Sequence, residues 1–281
     1  MPSTTDAIGH HITGRTRLYA IVGDPIAQVK TPQAINQILA QRGLDGVLMP
    51  LHVAPPAFAN LVTALRGIKN FGGMVVTVPH KTAMAALCDA ISPAAAAVGA
   101  VNVVRREADG RLMGDILDGQ GFCAGLRQQG IAIEGQSAYL AGAGGAAHAI
   151  AFALAEAGAA RLTIYNRSAA RAEAMIARLA TYRPALQVRL GTANPAGHDL
   201  VINATSLGMA TGDDLPFRAN DLTADQLVAE IIMQPALTPL LAAAQARGCR
   251  IQYGAPMLAC QIGLMADFMG IFNEAKNDHP V

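Results

Sequence analysis

The chain has 281 residues, 52% of them hydrophobic and 15% charged, with a formal net charge of +1. That balance excludes a disordered chain, which would be polar and highly charged. It also provides no strong field to draw the protein to nucleic acid or an anionic membrane, and the length suits two domains with their own cores.

Met1 to Gly14 lacks the basic start and apolar stretch of a signal peptide, and its His10 and His11 read as solvated rather than metal-binding. Leu18 to Val22 reads as a strand. Pro32 to Arg42 follows as a helix, with Thr31 as its N-cap and Pro32 at the first helical position. Gly46 to Val53 is a second strand and Pro56 to Leu65 a second helix. Gly73 to Val78 is an apolar strand stopped by Pro79. Alternation of this kind predicts a mostly parallel sheet with helices on both faces. Val101 to Val104 and Arg111 to Asp115 form a short hairpin around Ala108-Asp109-Gly110, and a helix runs from Asp118 to about Gln128.

A new βαβ series begins at Ala138 and continues through Arg161 to Tyr165, Gln187 to Leu190, Leu200 to Asn203 and Leu227 to Ile232. The last long helix is Met257 to Phe272. Apolar runs such as Ala138 to Ala147 are too short to span a bilayer. Cys88, Cys123, Cys249 and Cys260 form no CxxC pair and sit beside no convincing histidine cluster. They read as reduced thiols of a cytoplasmic protein, with no metal, membrane or nucleic-acid partner expected.

The strongest local motif is Tyr139-Leu140-Ala141-Gly142-Ala143-Gly144-Gly145-Ala146-Ala147, a strand ending in G-x-G-x-x-A. Gly142 permits the tight turn, Gly144 leaves the backbone open to a pyrophosphate, and Ala147 lets helix and sheet approach. The helix that follows offers unpaired N–H groups and a positive dipole end to phosphates. The next strand ends Tyr165-Asn166-Arg167-Ser168, with Arg171 one helical turn on. An NAD binder usually places a carboxylate there to hold the ribose 2′-OH. Arg167 and Arg171 suit a 2′-phosphate instead, with Asn166 and Ser168 as neutral donors, so the expected cofactor is NADP.

Upstream, Val76-Thr77-Val78-Pro79-His80-Lys81 places a lysine just after a buried strand. Ala100-Val101-Asn102 places an amide, and Gly114-Asp115-Ile116-Leu117-Asp118-Gly119 a carboxylate. Singly, each reads as well as an ordinary surface lysine, strand asparagine or helix-capping aspartate. Together, in this order and ahead of a dinucleotide turn, they resemble the shikimate dehydrogenases. The resemblance extends from Gly23-Asp24-Pro25-Ile26-Ala27 through Asn203-Ala204-Thr205 and Thr238-Pro239-Leu240-Leu241 to Gly254, Met257, Leu258 and Gln261.

It implies an α/β protein of two domains. Residues 1–117, completed by the terminal helix 257–281, would bind substrate, and residues 118–256 would form a Rossmann domain for NADP. It implies that Lys81 and Asp118 are catalytic, and leaves open which is the base in alcohol oxidation. Asn102 and Gln261 would hold ring hydroxyls, with Thr77 and Thr31 as further substrate contacts. Gly142, Ala143, Gly144, Gly145, Ala146, Asn166, Arg167, Ser168, Arg171 and Thr205 would hold the cofactor. The substrate would be a small cyclic hydroxy compound and the protein a monomer or homodimer.

The departures from the family pattern cluster at one substrate group. The family's S-x-S, whose hydroxyls bind the substrate carboxylate, is Val29-Lys30-Thr31 here, and a family tyrosine at the same end is Met233. Each lost hydrogen bond to a charged group is worth roughly 1.5–3 kcal/mol. Losing two would weaken shikimate by about 3–6 kcal/mol, or roughly 10²- to 10⁴-fold. The expectation is therefore an NADP-dependent oxidoreductase with altered carboxylate recognition. An ordinary shikimate or quinate dehydrogenase and a non-catalytic NADP-binding sensor stand as the alternatives.

Overall fold

A computed structural model describes residues 12–272, which leaves His10, His11 and the tail beyond Phe272 outside the described residues. The chain forms two compact units. One takes residues up to Asp115 and from Ile262 onward; the other is Ile116–Gln261.

The first unit contains β1 (Arg17–Gly23), α1 (Thr31–Gln41), β2 (Gly46–His52), α2 (Pro55–Arg66) and β3 (Phe71–Val76). It continues with α3 (Lys81–Leu87), β4 (Ala90–Ile91), α4 (Pro93–Val98), β5 (Val103–Arg106) and β6 (Leu112–Asp115). Its sheet has the order β2-β1-β3-β5-β6-β4. The pairs β1–β2, β1–β3 and β4–β6 are parallel, whereas β5 runs antiparallel to both β3 and β6. The sheet is thus mixed, because the β5–β6 hairpin turns back beside β3. Every residue of β3 is buried, as expected of a strand covered on both faces, while edge strand β2 exposes Met49, Pro50 and His52.

The second unit contains α5 (Asp118–Gln128), β7 (Ser137–Ala141), α6 (Gly145–Glu156), β8 (Arg161–Tyr165) and α7 (Ala169–Tyr182). Then come β9 (Gln187–Leu190), β10 (Leu200–Asn203), β11 (Leu227–Glu230), α8 (Pro239–Ala246) and β12 (Arg250–Gln252), and the division between the units falls within α9 (Ala255–Phe268), at Gln261. Its sheet is parallel throughout, in the order β12-β11-β10-β7-β8-β9. That is the doubly wound order with its switch point between β7 and β10, where ligands sit beyond the carboxyl ends of the strands. The strands β10 and β11 are buried along their whole length, and fully buried Tyr139 donates its hydroxyl to the Thr192 carbonyl at 2.7 Å. Helix α6 is apolar nearly all round and correspondingly buried, from Ala147 to Ala155.

Several local expectations give way. Thr31 does not cap α1: Lys30 takes the cap position without a side-chain bond, and buried Thr31 is the first helical residue. Strand β3 stops at Val76 rather than Val78: Val76 is its last partner on β1, and Val78, before Pro79, is exposed. Strand β11 stops at Glu230, whose side chain takes the next two backbone N–H groups. Lys81 opens the short helix α3, and Asp118 is the first helical residue of α5 with Leu117 at its cap. The small elements α3, β4 and α4 went unread in the alanine-rich stretch that carries them.

Candidate functional site

In the first unit the polar residues gather at the carboxyl end of β3. Thr77 donates its N–H to the Val22 carbonyl at 2.9 Å, and His80 donates its N–H to the Thr77 carbonyl at 2.9 Å. The buried His80 ring stacks on Phe58 with centroids 4.2 Å apart, and its Nε2 lies 2.7 Å from the Val53 carbonyl oxygen. This fixes the turn that delivers Lys81, whose own carbonyl accepts the Val101 N–H at 2.9 Å. Asn102 comes next and is locked by its backbone: its N–H donates to Asp115 at 2.9 Å and its carbonyl accepts from Val76 at 2.8 Å. The structure therefore brings Thr77, Lys81 and Asn102 together, with Lys81 half-buried and Asn102 buried. Thr31 and Val29 stand in the segment leaving β1, Thr31 buried and Val29 half-buried.

In the second unit Asp118 and Gln261 meet. Gln261 Nε2 donates to Asp118 Oδ1 at 2.5 Å, and both side chains are buried. Glycines permit that approach: a Cβ on Gly121 would lie 2.8 Å from the Gln261 Cβ, and one on Gly119 would lie 2.0 Å from the Ala149 carbonyl oxygen of α6. Each glycine within a helix costs about 1 kcal/mol against alanine. Here it is the only residue that lets α5 lie so close to both neighbours.

The turn after β7 has the shape that its glycines predict. Gly142 sits at φ +120°, and a Cβ there would stand 2.6 Å from the Ala204 carbonyl oxygen. Its N–H donates to the Tyr165 carbonyl at 2.7 Å. Gly144 and Gly145, by contrast, face open space, since a Cβ on either would meet nothing within 4 Å. Gly144 caps α6 without any side-chain bond, so the first N–H groups of a 12-residue helix point outward beside Ala143 and Ala146. His148 lies in the first turn, its Nδ1 2.9 Å from the Gly144 carbonyl oxygen, and burial lowers its pKa.

Beyond β8, Asn166 donates its amide to the Ser168 carbonyl at 2.9 Å, which shapes the turn. Ser168, Arg167 and Arg171 are exposed, and among the described residues neither arginine has a carboxylate partner. An open backbone cradle next to two free guanidinium groups fits a phosphorylated dinucleotide. Thr205 follows β10, where its N–H and hydroxyl both donate to Asn203 Oδ1, at 3.0 and 2.7 Å. Met233 lies beyond β11 and is 45% exposed.

Sequence reasoning missed Glu230. It is fully buried at the end of β11, and burial raises its carboxyl above the ordinary glutamate range. The signal was present as a carboxylate closing the otherwise apolar strand Leu-Val-Ala-Glu. No metal-ligating cluster of three or more such side chains occurs among the described residues, nor any helix long and apolar enough to cross a membrane.

Comparison with known proteins follows the same division. Residues 21–104 match the shikimate dehydrogenase substrate binding domain, and residues 126–209 match the family described as shikimate / quinate 5-dehydrogenase. The shikimate dehydrogenase (NADP(+)) of Rhodospirillum rubrum is 39% identical over 258 residues, covering 89% of this chain and 90% of its own length. Among solved structures, shikimate 5-dehydrogenase from Listeria monocytogenes, in complex with shikimate and NAD, superposes with a TM-score of 0.86 at 31% identity, over 94% of each chain. The ligand-free 5-ketofructose reductase of Gluconobacter sp. strain CHM43 gives a TM-score of 0.84 at 32% identity, over 92% of this chain and 94% of that one.

Proposed function

The chain belongs to the shikimate/quinate dehydrogenase family, and from that premise we propose that it recognises the acid group of its ring substrate differently from shikimate-specific members. It is an NADP-dependent oxidoreductase acting on a ring alcohol. The observation that carries the finer reading is the pair Val29 and Met233, two apolar side chains where the family pattern supplies hydroxyls.

Bound NADP supplies or accepts the hydride. The rest of the chemistry falls to side chains of this chain. Lys81 gives a proton to the carbonyl oxygen when the ketone is reduced, and Asp118 supplies the negative charge in the acid–base set. Asn102, Gln261 and Thr77 hold ring hydroxyls and fix which carbon faces the hydride. The cradle of Gly142 to Ala146 takes the pyrophosphate at the start of α6. Arg167 and Arg171 take the 2′-phosphate, with Asn166, Ser168 and Thr205 completing the wall. A carboxylate held near Val29 would leave water for an apolar surface and regain the hydroxyl of Thr31, with the exposed Lys30 as its nearest candidate cation in the same motif. That penalty falls on binding rather than on the hydride step.

Similarity to 5-ketofructose reductase supports this reading, since the compound in that protein's name carries no carboxylate. A second reading, an ordinary shikimate dehydrogenase, is favoured by the names of the curated relatives. Steady-state kinetics on shikimate, quinate and carboxylate-free ring alcohols separates them. The first reading expects a high KM for shikimate with kcat less affected, and a KM lowered roughly 10²-fold or more by Val29→Ser with Met233→Tyr. A low-micromolar KM of the wild type for shikimate would return the protein to the ordinary enzymes.

A further inference from the structure

We propose that Glu230 is a positioning residue for the dinucleotide, its buried carboxylate holding the turn after β10 against the phosphate-binding turn; this rests on the NADP reading above.

Glu230, Asn203 and Ala141 are register partners at the carboxyl ends of the adjacent strands β11, β10 and β7. The Glu230 side chain is wholly shielded from solvent. Four donors converge on it. Asn203 Nδ2 and Thr238 Oγ1 donate to Oε2 at 3.0 and 3.1 Å, and the N–H groups of Ile231 and Ile232 donate to Oε1 at 2.9 and 3.2 Å. Four donors and no acceptor suit an acceptor-only group, and they offset the cost of burying its charge.

The consequence passes through Asn203. Its amide has one donating and one accepting end, and only the donating end can face a carboxylate. Glu230 therefore fixes the flip of Asn203, which leaves Oδ1 to accept both the N–H and the hydroxyl of Thr205. Thr205 Oγ1 in turn accepts the Leu207 N–H at 3.1 Å, and Asn203 Nδ2 also donates to the Leu207 carbonyl at 3.1 Å. Between Asn203 and Thr205 sits Ala204, whose N–H donates to Ala141 at 2.8 Å and whose carbonyl bounds the space beside Gly142. The orientation of one buried acid is thus carried over three residues to the phosphate-binding turn. Thr238 extends the same hold to α8, because its hydroxyl oxygen accepts the Leu241 N–H at 3.2 Å while its proton goes to Glu230.

Glutamine at position 230 has the same shape but presents an NH₂ to a set of donors. Asn203 can then turn over, which sets its own NH₂ against the donors of Thr205. The test is a fluorescence titration of NADPH into wild type, Glu230→Gln, Asn203→Ala and the double variant, with KM for the best ring substrate measured at saturating NADPH. Each single variant should raise the NADPH Kd about tenfold. The double variant should do no more than the worse single one, since both cut the same relay. KM for the ring substrate should change by less than the NADPH Kd does, because Thr31, Thr77 and Asn102 belong to the other unit and neither Gln261 nor the Met233 side chain makes a bond in the relay. If Glu230→Gln does not fold, Asn203→Ala decides alone. Unchanged NADPH affinity in the folded single variants, with only a lowered melting temperature, overturns the proposal. Failure of the wild type itself to bind NADPH overturns the cofactor reading and this inference with it.

Discussion

In the second unit, the turn after β7 offers a ligand mostly backbone: a helix start without a side-chain cap, a glycine at positive φ and two glycines facing open space. In the first unit, the corresponding strand end carries side chains, Thr77, Lys81 and Asn102, each in a segment held by backbone hydrogen bonds. Backbone recognition is generic: any dinucleotide pyrophosphate meets the same N–H groups. Side-chain recognition is particular, so on the proposed reading a change in substrate choice would fall on side chains such as Val29 and Met233 rather than on the cradle.

The comparison breaks hardest at Lys81. Lys81→Ala should lower kcat by about 10²–10⁴-fold and leave NADPH affinity, measured by titration, unchanged. A matching loss of NADPH affinity would show that the two roles are not separable. Next in size is the arginine pair. Arg167→Ala with Arg171→Ala should weaken NADP by about 3 kcal/mol or more, roughly 10²-fold, while barely changing NAD. Equal affinity of the wild type for the two dinucleotides would sink the assignment of those residues.

Gly142→Ala sharpens the contrast by placing a side chain where the second unit tolerates none. The positive φ costs about 1–3 kcal/mol, and the Ala204 carbonyl must also move. A fall in melting temperature together with weaker NADPH binding is expected, with KM for the ring substrate little changed.

The smallest effect concerns acid stability. Asp199 accepts the Ser137 hydroxyl and N–H at 2.6 and 2.7 Å at the start of β7, and these bonds hold its pKa below the ordinary aspartate value of 3.8. Asp89 does the same for Leu112 at the start of β6, accepting its N–H at 2.7 Å. A carboxyl with a depressed folded pKa contributes stability above its unfolded value and loses it as pH falls through the folded value. Asp199→Asn should therefore narrow the gap in stability between neutral pH and pH below about 4, and the second unit's transition should carry the change. An identical pH profile for wild type and variant would remove Asp199 from the ledger.

Much of this was legible in the chain before any coordinates. The G-x-G-x-x-A turn, the arginines after β8 and the strand boundaries of Arg161–Tyr165, Gln187–Leu190 and Leu200–Asn203 are local facts, set by glycine geometry, periodicity and the residues next in line. The order of the strands, the antiparallel insertion of β5 beside β3, the bond from Gln261 to Asp118 and the carboxyl of Glu230 under four donors were decided by tertiary structure alone. The physical reason is distance along the chain. A turn's conformation depends on neighbours a few residues away, whereas Gln261 and Asp118, or Glu230 and Asn203, share a bond only after the sheet and helices have packed. A buried charge is favoured only once all of its donors have arrived.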